Sequence, residues 1–467
     1  MIGGENLRHD AASLYRFIEH ISHSCQLDLG PQAYDQPTRE FFEYIARLAI
    51  TTLEYLDRFA DGDRVPTDSL SYYEYRQKLW SLRSGWSILH KFIKPAADAD
   101  TLRQPLAFVR WLTRRLNTVA SFEAARFVIF HTAEVNYLHL NTGRVRDLTR
   151  QLSNLIPGGQ GFPNDLGLIG IPYSQGSTVF VNCLIPHEIG HYVYQQIKAS
   201  DRLFPLLQKS ILTILQPKLA QIPTAQAYAR AQWCIEILHS WAQEMFCDLF
   251  ATWMIGPAYC YAYIEFFDLS QTLSPDGKAL TRECQFNSSH PSHIFRLREQ
   301  IALLKVLGWW PHAQNVKSHY SEVLRSIDSI DESKFAFTQP DDRADDALAA
   351  FLLLCPHIHV LLTSVMRGLV PGLDAFAEHE KEIREYLSRA VVPSTVVRDG
   401  VTYYPDPVAI VNASYGLHLE ALTGLMDHIE HQDPSSVRMR AQWIDRLELW
   451  TSKAIEDNGL LVKQPLI

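Results

Sequence analysis

Val181-Asn182-Cys183-Leu184-Ile185-Pro186-His187-Glu188-Ile189-Gly190-His191-Tyr192-Val193-Tyr194 is the stretch on which the reading of this chain turns. His187 and His191 stand four residues apart, and Glu188 directly follows the first. On an α-helix, positions i and i+4 share one face a turn apart. Both imidazoles can therefore reach one Zn²⁺ ion, whose nitrogen ligands sit at about 2.0–2.1 Å. Glu188 projects to one side of the pair, where its carboxylate can take a proton from water held by the ion. Pro186 biases its predecessor out of helix, so the helix is expected to begin there, with His187 in its first turn. Upstream, Ser177 to Asn182 reads as a buried strand; downstream, Tyr192, Val193 and Ile197 continue an apolar helical face.

Outward from this stretch the pattern is helix, then strand, then helix. Residues 7–119 repeat apolar side chains at three and four, as in Phe42, Ile45, Ala46, Leu53 and Leu56, the period of a buried helical face. Arg126 to His131 and Val135 to Leu140 read as strands. Leu166 to Pro172 reads as a third, with Pro172 suited to a sheet edge. An exposed edge could hold an extended peptide by backbone pairing, which makes Leu168, Ile169, Gly170 and Ile171 candidate substrate contacts. A small sheet of three or four strands is expected, its last strand feeding the metal helix. Ala225 to Ile255 then forms a long apolar helix, stopped by Gly256-Pro257.

Two histidines leave zinc short of protein ligands, so a third must come from elsewhere. Residues 192–202 contain no histidine, which excludes the pattern with a third histidine close behind the pair. In Ser240-Trp241-Ala242-Gln243-Glu244-Met245-Phe246-Cys247-Asp248, two acids stand one turn apart on the long apolar helix. Burying both is costly unless a cation or donors satisfy them. With Glu244 on the metal, Asp248 can accept the ring N–H of a ligating histidine and fix its tautomer. Glu236, two turns earlier, is a competing ligand, and a solvent-facing pair of acids is the alternative.

His187-Glu188-Ile189-Gly190-His191, then Glu244 to Asp248, then His290-Pro291-Ser292-His293 with Arg296, resembles the gluzincin metallopeptidases. The order is most similar to the group that includes the CAAX-processing and HtpX-type membrane proteases, over residues 165–300. The resemblance implies a zinc peptidase with His187, His191 and Glu244 as ligands, Glu188 as base, and Asp248 supporting a ligand. His290 and His293 are candidates to stabilise an oxyanion, or to cap the helix that follows them. Arg296 is a candidate partner for the acidic pair. The chain departs from that group in three ways, one being Pro186 directly before His187. Cys247 replaces a small alanine, and the long apolar spans of the membrane enzymes are missing.

Bulk composition agrees with a globular protein: 47% of the 467 residues are hydrophobic and 11% aromatic, enough to build a core. A net charge of −9 without a basic run gives no support for nucleic-acid binding. Seven cysteines without a C-x-x-C pair suit reduced thiols. The N-terminal residues lack the basic and apolar regions of a signal peptide, and Leu348 to Met366 reads as a buried helix rather than a span. A cytoplasmic protein is expected.

The expected fold is mainly α, with a zincin-like core and a small mixed sheet at residues 121–310. Helical regions flank it at 1–120 and 311–467, the latter carrying a hairpin near 394–404, where Asp399-Gly400 separates β-formers. The expected function is a zinc-dependent peptidase acting on a peptide or protein. The alternative is a helical interaction protein with a structural or vestigial metal site. Two thirds of the chain show no evident chemistry, room enough for a surface that binds a regulatory partner.

Overall fold

Apolar residues at three- and four-residue spacing become helices through most of the chain, and β-structure is confined to short pieces. The computed structural model describes residues 2–27, 36–60, 69–96, 103–119, 122, 125–132, 138–140, 142–156, 166–172, 179–221, 223–267, 269, 284–287, 290–331, 335–337, 342–367, 369, 373–398, 400–430 and 434–461. The protein is mainly α with a small mixed sheet, as its pattern implies. Its contacts divide it into two compact units, residues 1–106 with 124–177, and 107–123 with 178–467. The expected core at 121–310 is thus split, its strands belonging to one unit and its metal helix to the other.

In the first unit, α1 (Ile2–Leu27), α2 (Gln36–Ala60) and α3 (Ser69–Ala96) pack together. Leu14, Ile18, Phe41, Phe42, Ile45, Leu82 and Trp86 fill the core between them. After α4 (Arg103–Leu116), which runs on into the second unit, come β1 (Arg126–Thr132), β2 (Leu138–Leu140), α5 (Thr142–Leu155) and β3 (Leu166–Pro172). The sheet order is β1-β3-β2, with β3 parallel to β1 and antiparallel to β2.

Pro172 therefore does not mark an edge. Leu168, Ile169 and Gly170 pair with Val128, Ile129 and Phe130 on one side and with Leu140, His139 and Leu138 on the other. Ile171 pairs with His131. The near-continuous apolar run Leu-Gly-Leu-Ile-Gly-Ile is that of a central, wholly buried strand, and proline is tolerated there because it closes the strand. The backbone of β3 along 168–170 has no free edge to offer a peptide.

The second unit is organised on α8 (Thr224–Ile255). Before it come α6 (Ile185–Gln196) and α7 (Ala199–Leu215); after it come α9 (Pro257–Phe266), α10 (His293–Val306), α11 (Trp310–Asn315), α12 (His319–Asp328) and α13 (Asp342–Val365). Helices α6, α7, α10 and α13 all pack on α8. From Met245 to Ile255 every residue of α8 is buried, so the helix is enclosed on all sides rather than on one face. Each large side chain there, such as Phe246 or Phe250, contributes about 1.5–3 kcal/mol by leaving water. Gly256, at φ 65, then turns the chain into α9 where Trp309 leaves no room for a Cβ. The Asp346 carboxylate of α13 takes Arg230 Nε of α8 at 2.5 Å and Lys218 Nζ at 2.6 Å, tying these elements together.

By length and composition α13 could cross a membrane. It packs Phe351, Leu354, Ile358 and Leu362 inward on α7 and α8, and exposes Leu353 and Val360. The remaining elements are β4 (Gln285–Phe286) parallel to β5 (Ala336–Phe337), α14 (Leu373–Ser388), α15 (Pro407–Glu430) and α16 (Pro434–Leu461). A hairpin, β6 (Val396–Arg398) with β7 (Val401–Tyr403), lies between α14 and α15.

The strand expected before the metal helix is not one. Ser177 and Thr178 lie outside the described residues; Val179 and Phe180 form a turn, and Val181–Leu184 a 3-10 helix that runs directly into α6. A short apolar run reports burial but not period. Here the burial comes from Phe180, whose ring packs on Tyr415 at 4.7 Å and His418 at 4.4 Å between centroids.

Candidate metal centre

Helix α6 starts at Ile185 with Pro186 in its first turn, where a missing N–H costs nothing. His187 and His191 consequently project from successive turns, and their rings meet edge-on with centroids 4.9 Å apart. Between them Gly190 lets α6 approach α8 closely. A Cβ at that position would stand 2.9 Å from Cys247 Cα, so α6 and α8 nearly touch backbone to backbone. That contact brings the histidines over Glu244, one turn before Cys247 on α8.

The Glu244 carboxylate faces both imidazoles. Glu244 Oε2 lies 3.5 Å from His187 Nε2, and Oε1 lies 3.7 Å from His191 Nε2. Ligand atoms at about 2.0–2.2 Å around a tetrahedral zinc stand about 3.3–3.6 Å from one another. The two histidines, with a donor from Glu244 or Cys247, could therefore hold a divalent ion. The side chains of His187 and His191 are 12% and 14% exposed, and that of Glu244 16%, so the set is nearly enclosed but keeps a solvent face.

Cys247 belongs to the same neighbourhood: its thiol and nitrogens of both histidines lie within 4.8 Å of one another. Two candidate third donors, Glu244 and Cys247, thus stand by the histidines. The two oxygens of Glu244 face one Nε2 each, and burial, with Glu244, Asp248 and Glu188 nearby, raises the Cys247 thiol well above its usual pKa.

Asp248 is wholly buried and fully satisfied. Its Oδ1 lies 2.9 Å from His187 Nδ1 and accepts from the Tyr259 hydroxyl at 2.6 Å and Arg296 Nη2 at 2.9 Å. Its Oδ2 accepts from Arg296 Nε at 2.5 Å. Arg296, on α10 and 4% exposed, also reaches Glu244 Oε2 at 3.3 Å. Burial opposes charge on Asp248, but the Arg296 guanidinium and His187 hold its carboxyl down at about 2. Burial likewise opposes charge on Glu244, and the hydrogen bond to His187 with the charge of Arg296 keeps it well below the ordinary range.

The two imidazoles are treated differently. Burial disfavours charge on His187, yet its hydrogen bonds to Asp248 and Glu244 outweigh that and raise it to about 10. His191 has the Gln243 side-chain nitrogen 3.0 Å from its Nδ1 instead of a carboxylate, and burial pushes it down to about 4.

Glu188 is buried beside the pair. His290 is exposed, and near enough to Glu244, Arg296, His187 and Asp248 to feel their charges; partial burial lowers its pKa and keeps it neutral. The His293 ring is engaged elsewhere, 2.9 Å from the Tyr263 hydroxyl through Nδ1 and packed on Phe267 with centroids 4.1 Å apart. Glu236 is not among the residues at the ligand set, while Leu168 to Ile171 belong to the other unit.

Compared with models of known families, with curated proteins and with solved structures, the chain matches none. The likeness to an H-E-x-x-H metal-binding motif therefore rests on the His187, His191 and Cys247 cluster with its adjacent Glu188. Sequence reasoning missed Tyr259, Tyr263 and Gln243. The two tyrosines stand at i and i+4 in Pro257-Ala258-Tyr259-Cys260-Tyr261-Ala262-Tyr263, a spacing that puts both hydroxyls on one helix face. For Gln243 no signal exists beyond its place next to Glu244.

Proposed function

We propose that this chain is a zinc-dependent metallopeptidase of gluzincin type, with His187 Nε2, His191 Nε2 and a Glu244 carboxylate oxygen as ligands. What supports the reading best is the pair of spacings from Glu244 to the two Nε2 atoms, 3.5 and 3.7 Å. Asp248 fixes the hydrogen of His187 on Nδ1, and Arg296 with Tyr259 keeps that carboxylate ionised and oriented. A zinc ion in this set supplies a polarised scissile carbonyl and water acidified toward a pKa of about 7. The Glu188 carboxylate takes the proton of the attacking water and returns it to the leaving amine nitrogen. His290, neutral and open to solvent, donates an N–H to the developing oxyanion, while His293, held by Tyr263 and Phe267, takes no part. The substrate is a peptide or protein, and Cys183, Cys234, Cys247, Cys260, Cys284 and Cys355, free and buried, agree with work in the reducing cytoplasm.

The test compares zinc content and peptide hydrolysis for the native chain and Glu188→Gln. The variant should keep its zinc and lose at least about a hundredfold in turnover, the usual contribution of a positioned base. Equal turnover removes Glu188 from the mechanism.

Cys247 gives a second reading its one specific support. A His₂-Glu-Cys set would be closed, and a structural site has four protein ligands where a catalytic one keeps an open position. That reading makes the chain an interaction protein with a structural metal. Cys247→Ala separates the two: zinc and activity persist if Glu244 completes the triad, and zinc is lost if the thiolate is a ligand.

A further inference from the structure

His187 has its ring hydrogen fixed by a buried carboxylate, and the structure supplies a different partner for His191. The Gln243 side-chain nitrogen, Nε2, lies 3.0 Å from His191 Nδ1, and it is carried by the residue directly before Glu244. Successive helical residues point about 100° apart, so α8 reaches His191 twice. Glu244 Oε1 stands by Nε2 at 3.7 Å, and Gln243 stands by Nδ1. Both nitrogens of one imidazole are bracketed by neighbouring residues of a helix that is itself enclosed from Met245 onward.

Resting on the metal-site reading above, we propose that Gln243 is the positioning residue for His191: its amide holds the imidazole in the rotation and tautomer that turn Nε2 toward the metal, and does so without adding charge. An imidazole that offers the Nε2 lone pair carries its hydrogen on Nδ1. The group facing Nδ1 must then accept. The Gln243 amide nitrogen faces Nδ1, and a half-turn about the last side-chain bond puts the amide oxygen there as the acceptor, which an apolar side chain of the same length cannot supply. Neutrality has its own consequence. The centre already holds Glu244 and Asp248 against one guanidinium, with Glu188 alongside. A carboxylate at 243 would make both histidines more basic and the ion less electrophilic; an amide orients His191 and leaves the ion its charge.

The experiment measures zinc and cobalt affinity of the full chain by chelator competition, after melts of the metal-free proteins show that each variant folds. Gln243→Met keeps the length and removes the acceptor, and should weaken binding about 10–100-fold, the usual loss when such a support is removed. Gln243→Glu restores the acceptor and should bind at least as tightly as the native chain, with an altered cobalt d–d spectrum. Should Gln243→Met fail to fold, Gln243→Ser removes the acceptor reach and carries the same expectation. Native affinity in the Met variant, or a Glu variant as weak as Met, overturns the proposal while leaving the metal site standing. A native chain that binds zinc no better than His187→Ala overturns both.

Discussion

Removing the Arg296 guanidinium is the most informative single perturbation. In the metal-free chain the centre balances two positive groups, Arg296 and a His187 raised to about 10, against two carboxylates, Glu244 and Asp248. Arg296→Met keeps most of the buried aliphatic stem and deletes contacts of 2.5 and 2.9 Å to Asp248 and 3.3 Å to Glu244. Asp248 is 0% exposed, so its charge is left with only His187 opposite and the Tyr259 hydroxyl to bond it. Breaking a buried ion pair from one side costs about 3–5 kcal/mol. At about 2 °C per kcal/mol for a unit of this size, the metal-free chain should melt about 6–10 °C lower. Adding Asp248→Asn should recover more than half of the loss, because replacing both partners leaves no orphaned charge. The assay is thermal unfolding of both single variants and the double variant, with and without zinc. A melting point for Arg296→Met within about 2 °C of native, or a double variant as unstable as the sum of the singles, would refute the ion-pair account.

Gly190→Ala should destabilise by about 1–3 kcal/mol and release zinc, because the new Cβ meets Cys247 Cα, which no rotamer change can move. Calorimetry and metal analysis check it, and combining it with Cys247→Ala should give little relief. Glu448 is raised by burial, with Glu265 and Asp445 adding to it, from 4.5 to about 7. A carboxyl raised in the folded state stabilises fully below the unfolded value, and that contribution is lost as pH climbs through about 7. Glu448→Gln should therefore match the native chain near pH 4 and exceed it at pH 8. The solvent-discounted difference is about 1–2 kcal/mol, read from denaturant midpoints at the two pH values.

The closeness of His187 and His191 was legible because it is local: it depends only on helix periodicity, and a helix start at Pro186 is a steric rule. Glu244 and Asp248 were legible through cost, since two acids on an apolar helix need a reason. What remained hidden depends on contacts distant in sequence. Nothing in Leu166 to Pro172 says that two strands flank it, and a run buried from both sides resembles an edge that ends in proline. Val179 to Asn182 showed its burial and concealed its helical turn, because the packing that buries Phe180 comes from residues 415 and 418. Tyr259 and Gln243 reach the centre only through the crossing of α6 over α8 and the turn at Gly256.

X-ray absorption at the zinc edge of the metal-loaded native chain tests the ligand set most directly. The Glu244 assignment predicts a shell of nitrogen and oxygen at about 2.0–2.2 Å with outer scattering from two imidazoles. A sulfur shell at about 2.3 Å would instead make Cys247 a ligand and contradict it.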